Sequence, residues 1–282
     1  MKVVLFCGGL GMRIREAGES TPKPMVLVGE RPILWHVMKY YAHFGHKDFI
    51  LCLGYRADVI KNYFINYSEF ISNDFVWRNG GKEMKVFNSD IDDWTITFAD
   101  TGPSANIGER LKAVEKYLDK DEMFLANYSD NLTDFHLPDI VSAAQKERKI
   151  GAFLCVPPNL SCHAVSVDER GLVQGIKNMG RSELVINGGY FVFNRAIFDY
   201  IRPGEELVQE PFQRLIAEKQ LLGYMYDGFW KSMDTFKEKQ ELDDLYRKGC
   251  APWQLWRGQD GTQEYAASGN GIMAIPVAGP KR

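Results

Sequence analysis

A short apolar run, Val3-Val4-Leu5-Phe6, opens directly into Cys7-Gly8-Gly9-Leu10-Gly11-Met12-Arg13, with Pro22-Lys23-Pro24-Met25 close behind. A strand that ends in closely spaced glycines commits the chain to a turn whose backbone N–H groups can approach an anion. Arg13 offers a planar guanidinium fork and Lys23 a point charge, and together they suit a triphosphate better than a bare turn. The dinucleotide fingerprint does not fit, because Ile14 stands where the third glycine is needed. The next predicted strand, Phe49 to Leu53, also ends in Gly54-Tyr55 without a carboxylate for a ribose. A Walker loop fails as well, since no Gly-Lys-Ser/Thr occurs.

Short apolar runs alternate with helical spacing through the first half. Val3 to Phe6 is followed by Leu34, Val37, Met38 and Tyr41 on one helical face, and then by Phe49 to Leu53. Val59, Ile60, Tyr63, Phe64 and Tyr67 form another such face. A strand from Trp94 to Phe98, a helix around Leu111 and Val114, and a strand from Met123 to Ala126 follow. This order predicts an α/β fold, a Rossmann-like doubly wound sheet, mostly parallel and flanked by helices. After a helix near Leu137 to Arg148 the pattern turns β-rich: Ala152 to Val156, a hairpin of Ala164 to Val167 with Leu172 to Ile176, and Val185 to Phe193. Helices are expected over Pro211 to Gln220 and Phe236 to Lys248. One domain over 1–257 is expected, with Tyr67 to Asp93 as an insertion, either an oligomer arm or a flap, and 258–282 as a disordered tail.

Composition narrows the function class. The chain has 282 residues, 45% apolar and 25% charged, enough for one substantial core. A net charge of -3 with no basic block gives no electrostatic footprint for nucleic acid. No run approaches the roughly 20 apolar residues of a membrane span. Five cysteines without C-x-x-C spacing fit a reduced, cytoplasmic protein. His43 and His46 flank Gly45 at a predicted helix end and are ordinary terminus chemistry rather than a metal pair. Trp253 and Trp256 read as an aromatic clamp for the C-terminal segment, and Lys237 to Asp244 as a solvated helix face.

Ligands of open α/β sheets sit beyond the carboxyl ends of strands, which draws attention to two carboxylates. Asp130 directly follows a predicted core strand, and Asp234 lies between a predicted strand and the final helix. Brought together, they could hold one Mg²⁺, a hard cation that fills its other positions with phosphate and water. Capping offers an alternative for each: Asp134 could be the only functional carboxylate near the first, as a cap, and Asp234 could N-cap the last helix.

The glycine loop, Pro22-Lys23-Pro24-Met25, Arg31-Pro32-Ile33-Leu34-Trp35-His36, Leu53-Gly54-Tyr55, Asp100-Thr101-Gly102, Ile186-Asn187-Gly188-Gly189 and Gly228-Phe229-Trp230 with Met233-Asp234-Thr235 occur in one order. In that order and spacing the chain resembles the sugar-phosphate nucleotidyltransferases, most of all their glucose-1-phosphate cytidylyltransferase branch, from Met1 to about Trp256. The resemblance implies a Mg²⁺-dependent, homo-oligomeric enzyme that joins CTP to a sugar 1-phosphate and releases pyrophosphate. It implies that Cys7, Gly8, Gly9, Gly11, Met12, Arg13 and Ser129 lie against the nucleotide, with Arg110 near the base. It further implies that Lys23 contacts the phosphates being joined, that Asp130 and Asp234 hold the metal, and that Asn187 and Gly188 meet the acceptor.

Departures from the family pattern fall mainly on the acceptor side. Tyr128-Ser129-Asp130-Asn131 replaces Tyr-Gly-Asp-Gly, and Pro157-Pro158-Asn159-Leu160-Ser161-Cys162-His163-Ala164 replaces Pro-Pro-Gly-Arg-Phe-Gly-Ala. The Glu-Lys-Pro lysine for the acceptor phosphate is missing, leaving Lys177 as the nearest substitute and His163 as the next. The same chemistry on another NTP or another phosphorylated or phosphonate acceptor stays open. So does a non-catalytic nucleotide-sugar sensor, although retention of both metal carboxylates argues against it.

Overall fold

The computed structural model describes residues 1–9, 21–87, 89–118, 122–158, 163–178 and 184–258. Its centre is a seven-stranded sheet made of β1 (Val3–Phe6), β4 (Asp48–Leu53), β7 (Thr95–Asp100), β8 (Met123–Asn127), β10 (Gly151–Val156), β13 (Ile186–Asn194) and β14 (Leu221–Met225). The spatial order is β14-β10-β13-β8-β1-β4-β7. β1 pairs in parallel with both β4 and β8, and β4 with β7, whereas β13 runs antiparallel to β8 and β10. The expected mixed, mostly parallel α/β sheet is what forms.

Side-chain alternation along the strands divides the interior into two layers. Val3 and Leu5 of β1, Phe49, Leu51 and Leu53 of β4, and Tyr190 and Val192 of β13 face one layer. There they meet α1 (Ile33–His43), α5 (Leu137–Lys146) and α7 (Phe236–Arg247). Val4, Phe6, Ile50, Phe124, Phe191 and Phe193 face the other, against α4 (Ile107–Ala113) and α6 (Glu210–Ala217). Each fully buried side chain of this size contributes roughly 1.5–3 kcal/mol, so a one-residue slip of β1 would turn both layers inside out.

Short elements complete the frame. β2 (Leu27–Val28) and β3 (Arg31–Pro32) form a tight hairpin, and β9 (Asn131–Thr133) pairs with β15 (Trp230–Ser232). α2 (Ala57–Ile65) leads to a single turn, α3 (Glu69–Ser72), and then to the hairpin of β5 (Phe75–Arg78) and β6 (Glu83–Val86). The insertion thus carries secondary structure of its own, with Trp77 61% exposed on it. β11 (His163–Val167) and β12 (Val173–Asn178) form the expected second hairpin. The proposed tail beyond Gly258 lies outside the described residues.

Two expectations about the C-terminal segment fare differently. Trp253 is fully buried, stacked on Phe229, as a clamp should be. The charged run on α7 is not uniformly solvated, because Asp243 is 5% exposed. Its carboxylate accepts the Gly29 N–H at 2.9 Å and pairs with Lys239, tying α7 to the β2–β3 turn.

His36 sits beneath that clamp at 1% exposure. Indole N–H is donor-only, so Trp253 Nε1 donates to His36 Nδ1 at 3.3 Å and the ring must be neutral, with Nε2–H donating to the Val28 carbonyl at 2.9 Å. Burial, aided by Arg31 and Arg257, holds its pKa down to about 4. The unfolded imidazole, near 6.5, therefore takes its proton first. This residue's stabilisation is complete above about pH 6.5 and is lost as pH falls toward 4, by about 3 kcal/mol in all. Urea midpoints of the wild type should drop more between pH 7 and pH 5 than those of His36→Gln. Equal drops would show that this ring is not held neutral.

Candidate active site

β1 has β4 on one side and β8 on the other, so the strand order reverses at β1 and leaves a crevice beyond the carboxyl ends of β1 and β8. Gly8 and Gly9 follow β1, and Ser129 and Asp130 follow β8. Ser129 bolts the two ends together: its hydroxyl donates to the Phe6 carbonyl at 2.8 Å and its N–H to the Asn127 side chain at 2.7 Å. It does so at φ 65°, in the left-handed region that glycine occupies without cost. A cavity of about 370 Å³ lies there, between Gly8–Gly9, Ala105–Ile107, Tyr128, Asp130 and Glu206.

Gly8 is required by Arg110. A Cβ at Gly8 would lie 2.0 Å from Arg110 Nη1, so the bare glycine leaves the guanidinium room against the turn. The Arg110 fork donates to the carbonyls of Gly8, Leu53 and Gly102 and to the Thr101 hydroxyl, at 2.7–3.3 Å, and is 2% exposed. Its two terminal nitrogens thus tie the turn after β1 to the ends of β4 and β7, which makes it a strut of this corner of the sheet. Cys7 likewise turns inward: its N–H continues the β1–β4 ladder to Cys52, and burial pushes its thiol up to about 12. Gly11, Met12 and Arg13 lie outside the described residues.

The two carboxylates are brought together by a pairing too short to stand out in the sequence. Ser232 of β15 lies opposite Asn131 of β9, and Met233 N–H donates to the Asp130 carbonyl at 2.9 Å. Both carboxylates converge on one cation, with Lys23 Nζ 2.5 Å from Asp130 Oδ2 and 2.7 Å from Asp234 Oδ1. Lys23 reaches them from a single 3₁₀ turn, Lys23–Met25, opened by Pro22. Burial pushes the Asp130 carboxyl above the usual range, Lys23 pulls it back, and Asp234 adds to the rise. Burial alone would lower the Lys23 ammonium; the carboxylates more than reverse that.

Capping does not account for these acids. Thr235 caps α7 in a capping box with Glu238, leaving the Asp234 side chain to Lys23. Asp134 is no cap either, since His136 holds that position of α5; it accepts from the Tyr226 hydroxyl and from Phe229 N–H at 3.0 Å.

Gly188 and Asn187, expected to meet the acceptor, are placed differently. The Gly188 carbonyl accepts from Trp230 Nε1 at 2.8 Å, while the Asn187 side chain bridges Gly189 and Tyr128. Lys177 and His163 are both exposed on the β11–β12 hairpin. The register pairs Ala164 with Lys177 and His163 with Asn178, so the two candidate cations point to opposite faces and cannot share one phosphate. Tyr128 and Glu206 line the cavity although neither was a sequence candidate. Tyr128 was legible only through its place beside Asp130; Glu206 carried no signal.

The nucleotidyl transferase family model matches residues 2–241. The chain belongs to that family. It is 37% identical over 258 residues to the glucose-1-phosphate cytidylyltransferases of Salmonella typhi and Salmonella typhimurium, covering 91% of this chain and all of each relative. Its fold matches the UDP-glucose pyrophosphorylase of Acinetobacter baumanii with a TM-score of 0.65 at 17% identity, over 92% of this chain and 97% of that one. This nucleotidyl transferase is therefore an enzyme of sugar-phosphate nucleotidyl transfer. No helix among the described residues is long and apolar enough to cross a membrane.

Proposed function

We propose that this nucleotidyl transferase joins CTP to a sugar 1-phosphate, with glucose 1-phosphate as the first choice, giving a CDP-sugar and pyrophosphate. The observation that carries the reading is the convergence of Asp130 and Asp234 on a single cation at the switch point beside Gly8 and Gly9. A donor set of two carboxylates that already share a cation fits Mg²⁺, and these two residues would hold it. When bound, the metal supplies charge neutralisation for the phosphates.

The protein's own part is positioning and charge. An oxygen of the acceptor's phosphate, largely dianionic at neutral pH, attacks the α-phosphorus of CTP, and the bond from that phosphorus to the departing pyrophosphate breaks. No proton has to be removed from the nucleophile, so no protein base is needed. The Gly8–Gly9 backbone approaches the triphosphate, Arg110 keeps that turn in place, and Lys23 stabilises charge on the phosphates being joined. Arg13 grips the triphosphate in this reading. A cytoplasmic homo-oligomer completes it, with the β5–β6 hairpin as the contact; sedimentation as a monomer would remove that last element.

The opposite faces of Lys177 and His163 keep a second acceptor in play, another phosphorylated or phosphonate compound. Pyrophosphate release over a matrix of NTPs and phosphorylated acceptors tests both. The highest kcat/KM is expected for CTP with glucose 1-phosphate. Preference for another NTP, or no release with any pair, would overturn the reading.

A further inference from the structure

Asn187 acts on the site through a neighbour. Its side-chain oxygen accepts the Gly189 N–H at 2.9 Å, and because a backbone amide can only donate, the orientation of the Asn187 carboxamide is fixed. The nitrogen is consequently the atom that faces Tyr128, and it donates to the phenolic oxygen at 3.1 Å. That leaves the tyrosine's own proton to find a different acceptor, and none is present for it among the described residues. The ring itself is wedged. Gly189, at φ 75°, passes so close beneath it that a Cβ there would lie 2.7 Å from the Tyr128 ring, and Phe191 meets it edge-on at 5.2 Å. A rigid phenol with an oriented, uncommitted proton lines the same cavity as Gly8, Gly9 and Asp130.

We propose that Tyr128 is the acceptor-reading residue, its hydroxyl donating a hydrogen bond to a phosphate oxygen of the phosphorylated acceptor, with Asn187 as the positioning residue that aims it. The inference rests on the sugar-phosphate reading above. It answers the chemical problem set by the missing lysine, since a dianion in a partly buried site needs donors, and Lys177 and His163 lie on opposite faces of a separate hairpin. Asn187 belongs to the Asn-Gly-Gly motif at the start of β13, which is how an acceptor strand and the turn after β8 come to act on one oxygen.

Two variants separate reading from mere packing. Tyr128→Phe removes the hydroxyl and keeps the ring; Asn187→Asp offers the hydroxyl an acceptor and turns its proton inward. Each should lower kcat/KM for glucose 1-phosphate, or for the best acceptor of the panel, roughly 10- to 100-fold, as expected for a hydrogen bond to a charged group. The KM for CTP should stay within about twofold. In the double variant the losses should fall well short of multiplying, because both changes remove one interaction. Calorimetric titration of glucose 1-phosphate should show the same loss without turnover. Unchanged acceptor parameters in Tyr128→Phe, equal damage to both substrates, or fully multiplicative losses would overturn the proposal. A wild type that transfers to no phosphorylated sugar would instead sink the reading beneath it.

Discussion

Asp130→Ala and Asp234→Ala are each expected to lower turnover by on the order of 100-fold or more, the scale of losing one preorganised electrostatic group at a reacting centre. The two residues come from opposite halves of the chain, Asp130 after β8 and Asp234 between β15 and α7, and they meet on one ammonium. Neither substitution should unfold the protein. Asp130 side-chain exposure is 22% and Asp234's is 40%, and removal of one leaves Lys23 paired with the other, so no buried charge is stranded. Because Thr235 and Glu238 cap α7 between themselves, the helix start survives loss of the Asp234 carboxylate. The measurement is kcat at saturating Mg²⁺ with thermal unfolding as the control. A near-normal kcat in either variant, with the fold intact, would remove that residue from the catalytic centre.

What the sequence disclosed about this site follows the range of the forces involved. β1 was legible because four consecutive apolar residues buried on both faces leave little alternative, and the glycines after it marked the turn. Asp130 was legible as the carboxylate beyond a core strand. The partnership of Asp130 with Asp234 depends on β9 and β15, three residues each, whose pairing spans about a third of the chain and has no periodicity to read. β14 was missed for a related reason. Leu221–Met225 sits at the sheet edge, half covered, next to a helix whose apolar spacing runs up to it. Asp243 read as one more surface charge on a helix, and only the distant Gly29 turn makes it a buried acceptor. Arg110 shows the same limit, since its motif singles it out while the partners of its Nη1 and Nη2 groups, the carbonyls of Gly8, Leu53 and Gly102 and the Thr101 hydroxyl, come from separate stretches of the chain.

Lys23→Met should produce two changes of opposite sign, a fall in kcat of on the order of 100-fold and a tightening of divalent-metal binding to the free protein. The ammonium lies between the Asp130 and Asp234 oxygens, 2.5 and 2.7 Å from them, at 16% exposure. A divalent cation held by the same two carboxylates would compete with the ammonium for the position it occupies. If Asp130 and Asp234 hold the metal as proposed, metal binding and release of Lys23 are one exchange, and the displaced side chain, attached at the 3₁₀ turn, would have the phosphates as its next anionic partner. Methionine keeps the length and loses the charge. Without a resident cation to displace, Mn²⁺ should bind the free variant about tenfold more tightly, a difference of about 1.4 kcal/mol. The lost cation should depress kcat far more than it raises the KM for CTP. Titration of the free Mn²⁺ paramagnetic resonance signal measures the first effect and steady-state kinetics the second. A destabilised fold would weaken both properties together, so the opposed signs belong to the exchange alone. Unchanged or weaker metal binding, with a rise confined to KM, would leave Lys23 as a ground-state contact and the ammonium as an ordinary ion pair.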